Sequence, residues 1–411
     1  MSFQQGLSGL NAASSNLDVI GNNVANASTV GFKSSVTQFA DIYASQVAGS
    51  SNTEAGIGAT VANIEQQFGQ GNLTTTSNPM DLAINGNGFF QISRGSATAY
   101  TRDGQFNVDA NGFVSNALGD KLLGYPVNAA GVVQTGATPG PLQMNTANFA
   151  PQLTSKATLV ANFNSSATAL NPASFSYTDS TTYTNTTTAQ IFDSLGNSHN
   201  LSLYFIKSTA AADTWDVRAQ LDGAAVNAGA SVGTLTFTSG GAIDLTKTTL
   251  PFALSLAMPG GATTPQPVNL NFTGSTQYGS PFGVTTVTQD GYAAGSLLGY
   301  NISSSGLISG NYSNGQTRPQ GQIVLASFSD PQGLQNIGDN AWSQSFTSGQ
   351  ALIGTPGAGT LGTLQSGALE QSNVDLTAEL VNMITAQRDY QANAETIKTE
   401  DQLLQTLVSL R

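Results

Sequence analysis

Val374–Arg411 reads VDLTAELVNMITAQRDYQANAETIKTEDQLLQTLVSLR. From Leu376, alternating steps of four and three land on Leu380, Met383, Gln387, Tyr390, Ala394, Ile397, Asp401, Leu404 and Val408. Only Gln387 and Asp401 break that apolar stripe. Such spacing predicts a helix that buries one narrow seam against another helix. Neither Gly nor Pro interrupts the stretch, which would be roughly 57 Å long as a continuous helix at ~1.5 Å per residue. A start is marked by Ser372 with Asp375 three residues on, a capping-box spacing, and Asn373 is a second candidate cap. A helix of this kind needs a partner.

The other end of the chain offers one. From Phe3 the same steps give Leu7, Leu10, Ser14, Leu17, Gly21 and Val24, with Ala13 and Ile20 flanking, a weaker stripe ending near Val24. Gly6, Gly9 and Gly21 each cost about 1 kcal/mol against Ala inside a helix. A short, Gly-bearing helix is marginal alone and persists when packed against the C-terminal one. The two stripes either close one core within the chain or extend to neighbouring copies; periodicity does not separate these readings.

Between the helices the period changes to two. Asp81-Leu82-Ala83-Ile84 and Phe89-Phe90-Gln91-Ile92 flank Asn85-Gly86-Asn87-Gly88, which predicts a hairpin. Residues 36–47 read as a short helix or an extended arm. Short strands and tight turns fill the rest, with a Pro/Gly/Thr-rich boundary around 126–150 and a second β-rich block beyond it. After Asp290-Gly291 the first β-block's style returns. The expected fold is therefore multidomain and mainly β, with paired terminal α-helices as a coiled coil and nested β-domains in an elongated subunit. The pieces are 1–30 with 368–411 (helices), 31–70 with 355–367 (connecting arm), 71–146 with 285–354 (first β-domain) and 147–284 (inserted β-domain).

Charge is sparse: 12 Lys plus Arg against 24 Asp plus Glu gives −12, and charged residues are 9% of 411, well under the ~25% of ordinary domains. No basic patch exists, which argues against nucleic-acid binding. No run of ~18 apolar residues predicts a membrane span, and Met1–Leu10 lacks the pattern of a cleavable signal peptide. Cys is absent, so neither disulfides nor thiolate metal sites are available. The single histidine, His199, sits in Gly196-Asn197-Ser198-His199 and reads as a solvated turn residue with no nucleophile elbow beside it. Asp109-Ala110-Asn111-Gly112 lacks the alternating acidic ligands of a calcium loop. Gly354–Gly359 lacks the Lys-Ser/Thr of a phosphate loop. No catalytic, cofactor-binding or metal-ligating constellation emerges, so no enzyme activity and no cofactor is expected.

Four stretches carry a resemblance. Ala25-Asn26-Ala27-Ser28-Thr29-Val30-Gly31-Phe32-Lys33 resembles the N-terminal motif of the bacterial flagellar rod and hook proteins. Asp81–Phe90 and Tyr100–Gly104 resemble the start of that family's shared β-domain. Gly367–Leu376, containing Ser372, Asn373, Val374 and Asp375, together with Gln387-Arg388 and Tyr390–Asn393, resembles its C-terminal motif. The large insert, and Tyr312–Arg318 running on to Leu325–Phe328, point within the family to its hook branch over the shorter distal rod.

The resemblance implies a structural, self-assembling subunit of a curved tube that joins the rod to the external filament as a flexible universal joint. It implies terminal helices packed around a central channel, with Phe3, Leu7, Leu10, Leu17, Val24, Leu376, Leu380, Met383, Tyr390, Ala394, Ile397, Leu404 and Val408 in the seams. The implied partners are other copies, the distal rod protein, the hook–filament junction protein, the hook cap, the length-control protein and the flagellar type III export apparatus. The other readings are the rigid distal rod and, from a different class, a secreted β-rich adhesin.

Overall fold

The computed structural model describes residues 2–42, 56, 58–128 and 131–409. The chain divides into two compact units: Met1–Thr146 with Gly299–Asn311 and Thr317–Arg411, and Ala147–Leu298 with Tyr312–Gln316.

The first unit contains both long helices, α1 (Ser2–Ala25) and α2 (Leu376–Ser409). The cap of α2 differs from the expected one. The Asp375 carboxylate accepts from Thr377 N (2.9 Å) and Ala378 N (3.2 Å), so Asp375 itself caps the helix. Ser372 instead accepts from Val374 N, and Asn373 is committed to the arm. An aspartate at this position also suits the positive end of the helix dipole. After α1 the chain forms an antiparallel pair, β1 (Ser35–Ile42) and β2 (Gly58–Gln66), with a bulge at Gln38/Phe39. The extended alternative for the start of 36–47 is the one adopted; 43–47 lie outside the described residues.

The β-domain of this unit is built around Phe89–Arg94, whose two faces are both covered. Phe90 and Ile92 enter a core with Leu82, Ile84, Phe106, Leu122 and Ile323. Phe89, one residue away and therefore on the opposite face, joins Tyr100, Phe328 and Trp342 in a second, aromatic cluster. Phe68, just past β2, packs edge-on against Phe89 and Trp342, with ring centroids 5.5 Å away in each case. Trp342 Nε1 donates to Gln66 Oε1 at 2.6 Å. The arm thus ends in the β-domain's aromatic cluster.

The expected hairpin across Asn85–Gly88 does not form. Leu82–Asn85 pairs with Thr363–Ser366, and Phe89–Arg94 pairs with Ala97–Thr101. Gly86 and Gly88 do take positive φ (112° and 127°). The turn carries the chain from one sheet to another: a Cβ on Gly86 would lie 3.0 Å from Gly362 Cα, so glycine admits the close crossing of the two strands.

The second unit is a β-sandwich. One sheet contains Asn185–Phe192, Ser198–Lys207 and Thr214–Leu221; the other contains Lys156–Asn164, Phe252–Leu256, Gln266–Asn271 and Gly283–Gln289. Inward residues alternate along each strand. Leu159 and Phe163 from one sheet meet Leu203, Phe205 and Trp215 from the other, and the Phe163 ring sits 5.0 Å from both Phe205 and Trp215.

Candidate assembly surface and the joint behind it

The two helices pair antiparallel. Gly6 lies against Ile397, Gly9 against Asn393, and Asn23 Nδ2 donates to Glu379 Oε1 at 3.1 Å. On α1, Gly6, Gly9, Ala13, Asn16, Ile20 and Asn23 follow a 3-4 alternation; Gly6, Ala13, Ile20 and Asn23 are buried, and Gly9 and Asn16 are half-buried. A Cβ on Gly9 would come within 2.5 Å of Asn393 Oδ1, and one on Gly6 within 3.0 Å of Ile397 Cγ1. The glycines that weaken α1 as an isolated helix are the ones that let α2 approach. Spacing between packed helices is set by the side chains at the contact.

This internal seam uses only part of the apolar stripe. Met383, Ala394 and Ile397 are half-buried, as are Leu10, Leu17 and Val24. Phe3, Leu7, Leu376, Leu380, Tyr390 and Leu404 are exposed, along with Val381, Ile384 and Leu403. Val408 lies within α2, but its side chain is outside the described residues. The face of α2 turned to α1 also includes Glu379, Ala386 and Asn393, and Ala386 is its one fully buried side chain among the described residues. One chain therefore pairs its helices largely through small and polar residues, with Ile20 and Ile397 the apolar exceptions, and leaves other large apolar residues uncovered.

The motif residues gather where helices, arm and β-domain meet. Lys33, 1% exposed, donates to Glu370 Oε1 (2.6 Å) and to Gly69 O (2.7 Å). Arg102 Nη1 donates to the other Glu370 oxygen (3.0 Å), while Arg102 Nη2 reaches Gly86 O (2.9 Å). Gly71 N adds a third donor to Glu370 at 2.8 Å. Two cations and one carboxylate are thus buried together. Burial pulls the Lys33 ammonium below its ordinary value against the pull of Glu370, and burial lowers Arg102 as well. Gly31 takes φ +70°, and its N–H donates to Glu370 O at 2.8 Å; a Cβ there would meet Asp103 N at 2.5 Å.

Around this triad the remaining motif positions are hydrogen-bonding struts. Asn373 Oδ1 accepts from Ser34 N (2.8 Å), and its Nδ2 donates to Gln67 O (2.6 Å). Asn23, 1% exposed, exchanges both amide bonds with Ser35 (2.8 and 2.9 Å). Thr29 Oγ1 donates to Asn26 Oδ1 within the turn after α1. Phe32 and Val374 are half-buried, next to Gly31 and Asn373 in the chain. Glu370, Arg102 and Asn23 were not among the expected site residues. Glu370 and Arg102 do lie inside the quoted motifs, where a charge in so uncharged a chain was the available signal.

His199 is not a solvated turn residue. It is 7% exposed, with Nδ1 2.6 Å from Asp222 Oδ2 and Nε2 3.3 Å from Asp193 Oδ2. Pairing of Leu201 with Leu221 brings Asp222 across from the turn. Burial disfavours the imidazolium, but hydrogen bonds and charge from both aspartates outweigh it and raise the pKa. Burial likewise pushes Asp193 up, and bonds from Asn197, His199 and Leu195 N overcome it, holding the carboxyl at about 2. The group ties two turns of the sandwich to a strand. Among the described residues no helix is long and apolar enough to cross a membrane.

Four family models match in chain order. They are a flagella basal body rod protein model (residues 3–33), a flagellar hook protein FlgE/F/G D1 domain (83–150), a flagellar basal body protein FlaE D2 domain (162–292) and a flagellar basal body rod FlgEFG protein C-terminal model (365–410). The chain is 42% identical to the flagellar hook protein FlgE of Escherichia coli (strain K12), covering 100% of each. It is 33% identical to that of Borreliella burgdorferi, covering 100% of this chain and 99% of the relative. The crystal structure of Helicobacter pylori flagellar hook protein FlgE2 superposes with a TM-score of 0.53 at 14% identity, over 72% of this chain and 100% of that one. At that identity the likeness concerns the fold.

Proposed function

The chain belongs to the flagellar hook protein family, and we propose that its copies stack into a curved helical tube that carries torque from rod to filament as a flexible universal joint. It is a structural subunit of the hook of the bacterial flagellum; it self-assembles and is associated with the basal body. In the proposed tube, 1–30 with 368–411 form the inner wall and 31–70 with 355–367 the connecting arm. The β-domains, 71–146 with 285–354 and the insert 147–284, form the outer layers. The distal rod protein would meet the tube at its base and the junction protein at its tip. The hook cap, the length-control protein and the flagellar type III export apparatus would act during its growth. The chain acts mechanically and carries out no reaction.

The observation that carries this reading is the split of the terminal helices. Small residues hold α1 to α2, while Phe3, Leu7, Leu380, Val381 and Ile384 remain uncovered. An uncovered apolar stripe on a long helix is what further copies would bury. In a chain with only 9% charged residues, sparsely charged outer domains would slide past one another on bending with little electrostatic penalty.

Electron microscopy of the full-length chain beside a 71–365 truncation tests the proposal. Curved tubes from the full-length chain alone are expected. Straight, rigid tubes would mean a drive shaft in place of a joint, and tubes from the truncation would remove assembly from the terminal helices.

A further inference from the structure

Phe346 stands fully in solvent, at 103% of its reference exposure. Its loop is not slack. Ser345 N donates to Ser348 Oγ (2.9 Å), Ser348 Oγ donates back to Ser345 O (3.0 Å), and Thr347 N donates to Ser345 Oγ (3.1 Å). Ser348 is completely buried, and Ser345 Oγ also bonds Gly333 O. The ring is therefore presented on a pre-set turn, and an aromatic anchor held this way loses little freedom on binding.

The same unit contains a cavity of about 270 Å³ into which that ring is not inserted. Phe68, Phe89, Phe328 and Leu352 supply its apolar walls, and Arg102 lies at one side with its guanidinium 5.4 Å from the Phe89 ring centre. An apolar cavity of ~150 Å³ suffices for benzene, so a phenylalanine side chain fits with room for its approach. A polar helical tube can use only heterologous contacts, in which one patch of a copy meets a different patch of the next. Such a contact needs a knob and a hole on the same chain.

We infer that in the assembled hook the Phe346 ring of one copy seats in the Phe68–Phe89–Phe328–Leu352 cavity of a neighbouring copy. The inference rests on the proposed tube and adds a specific contact to it. The absence of Cys makes a clean test available. Hooks are assembled in bacteria that co-express copies carrying T347C, which keeps the ring, with copies carrying T360C on the cavity lining, then oxidised. Both positions are exposed, so neither change disturbs the core. A disulfide-linked dimer is expected from the mixture and from neither variant alone. In parallel, F346S is expected to reduce the number of hooks per cell about tenfold at unchanged export of the subunit. Hooks that form without the mixed dimer, dimers from T347C copies alone, or F346S hooks at wild-type number would each overturn the contact while leaving the tube intact. Failure of the unaltered chain to form hooks would instead overturn the tube itself.

Discussion

Replacing Glu370 with Gln tests the joint directly. The carboxylate takes three donors, from Lys33 at 2.6 Å, Gly71 N at 2.8 Å and Arg102 at 3.0 Å, and its side chain has no exposed surface. Glutamine keeps the volume but removes the only negative charge of the triad and can turn an amide donor toward two cations. Breaking a buried ion pair by removing one partner costs about 3–5 kcal/mol. At roughly 1.4 kcal/mol per tenfold, that is about two to three and a half powers of ten in the folding equilibrium of this unit.

The assay is urea unfolding of the dilute monomer in a Trp215→Phe background. The chain has two tryptophans, so Trp342, beside the arm, then reports the first unit alone. E370Q is expected to shift the Trp342 transition by the full amount. A triple replacement of Lys33, Arg102 and Glu370 by apolar residues of similar volume is expected to recover much of the loss, because the desolvation of three charges disappears with them. A shift in E370Q smaller than about 1 kcal/mol, the range of surface pairs, would refute the claim that the triad locks the arm to the β-domain.

Further outcomes follow from the helices and the sandwich. Gly9→Val puts a Cβ 2.5 Å from the Asn393 side-chain amide, which must swing aside; α1 should lose part of its amide-exchange protection, and hooks should be fewer. Gly21→Ala meets nothing within 4 Å and should stabilise α1 by up to ~1 kcal/mol, read from the helical signal on heating. For His199 the pKa is raised on folding. The sandwich therefore binds the extra proton between pH 6.5 and that higher value, and its stability is full below pH 6.5 and falls as pH rises through it. Trp215 fluorescence in a Trp342→Phe background should show this slope, and His199→Gln should abolish it.

The elements were legible because their periods are strong. Both terminal helices lie within a residue or two of where the 3-4 spacing sets them, and the runs around Leu82, Phe89 and Leu201 are strands. Partner choice was less legible. Asn-Gly between two strands is a good local hairpin signal, yet Thr363–Ser366, nearly 280 residues on, competes for Leu82–Asn85 and wins. His199 read as solvated because its turn is polar; what buries it is Asp222, supplied by strand pairing. Lys33 and Glu370 are 337 residues apart, so no local pattern couples them. The inner seam was partly hidden by its own chemistry: Ala13 and Ile20 flank the apolar stripe, but Gly6 and Gly9 score as poor seam residues in any apolar periodicity.

That seam bears on when the chain assembles. Phe3, Leu7, Leu376, Leu380, Val381, Ile384, Leu403 and Leu404 are each about half exposed. Complete burial of such side chains stabilises by about 1.5–3 kcal/mol apiece, so finishing these eight half-burials yields on the order of 8 kcal/mol. Bringing two copies together costs an estimated 4–15 kcal/mol of lost freedom. A pair of copies covers only part of each copy's stripe, so its gain is of the same size as that cost. A copy arriving at the end of a tube loses that freedom once but touches several neighbours, each covering a different part of the stripe. The helix pair, with its inner face already satisfied by glycine, alanine and asparagine, thus disfavours free dimers and favours addition to an existing tube. A seam of leucines between α1 and α2 would hold the monomer more firmly. It would also hold the two helices farther apart, and the outer stripe, not the inner one, is what the neighbouring copies would meet.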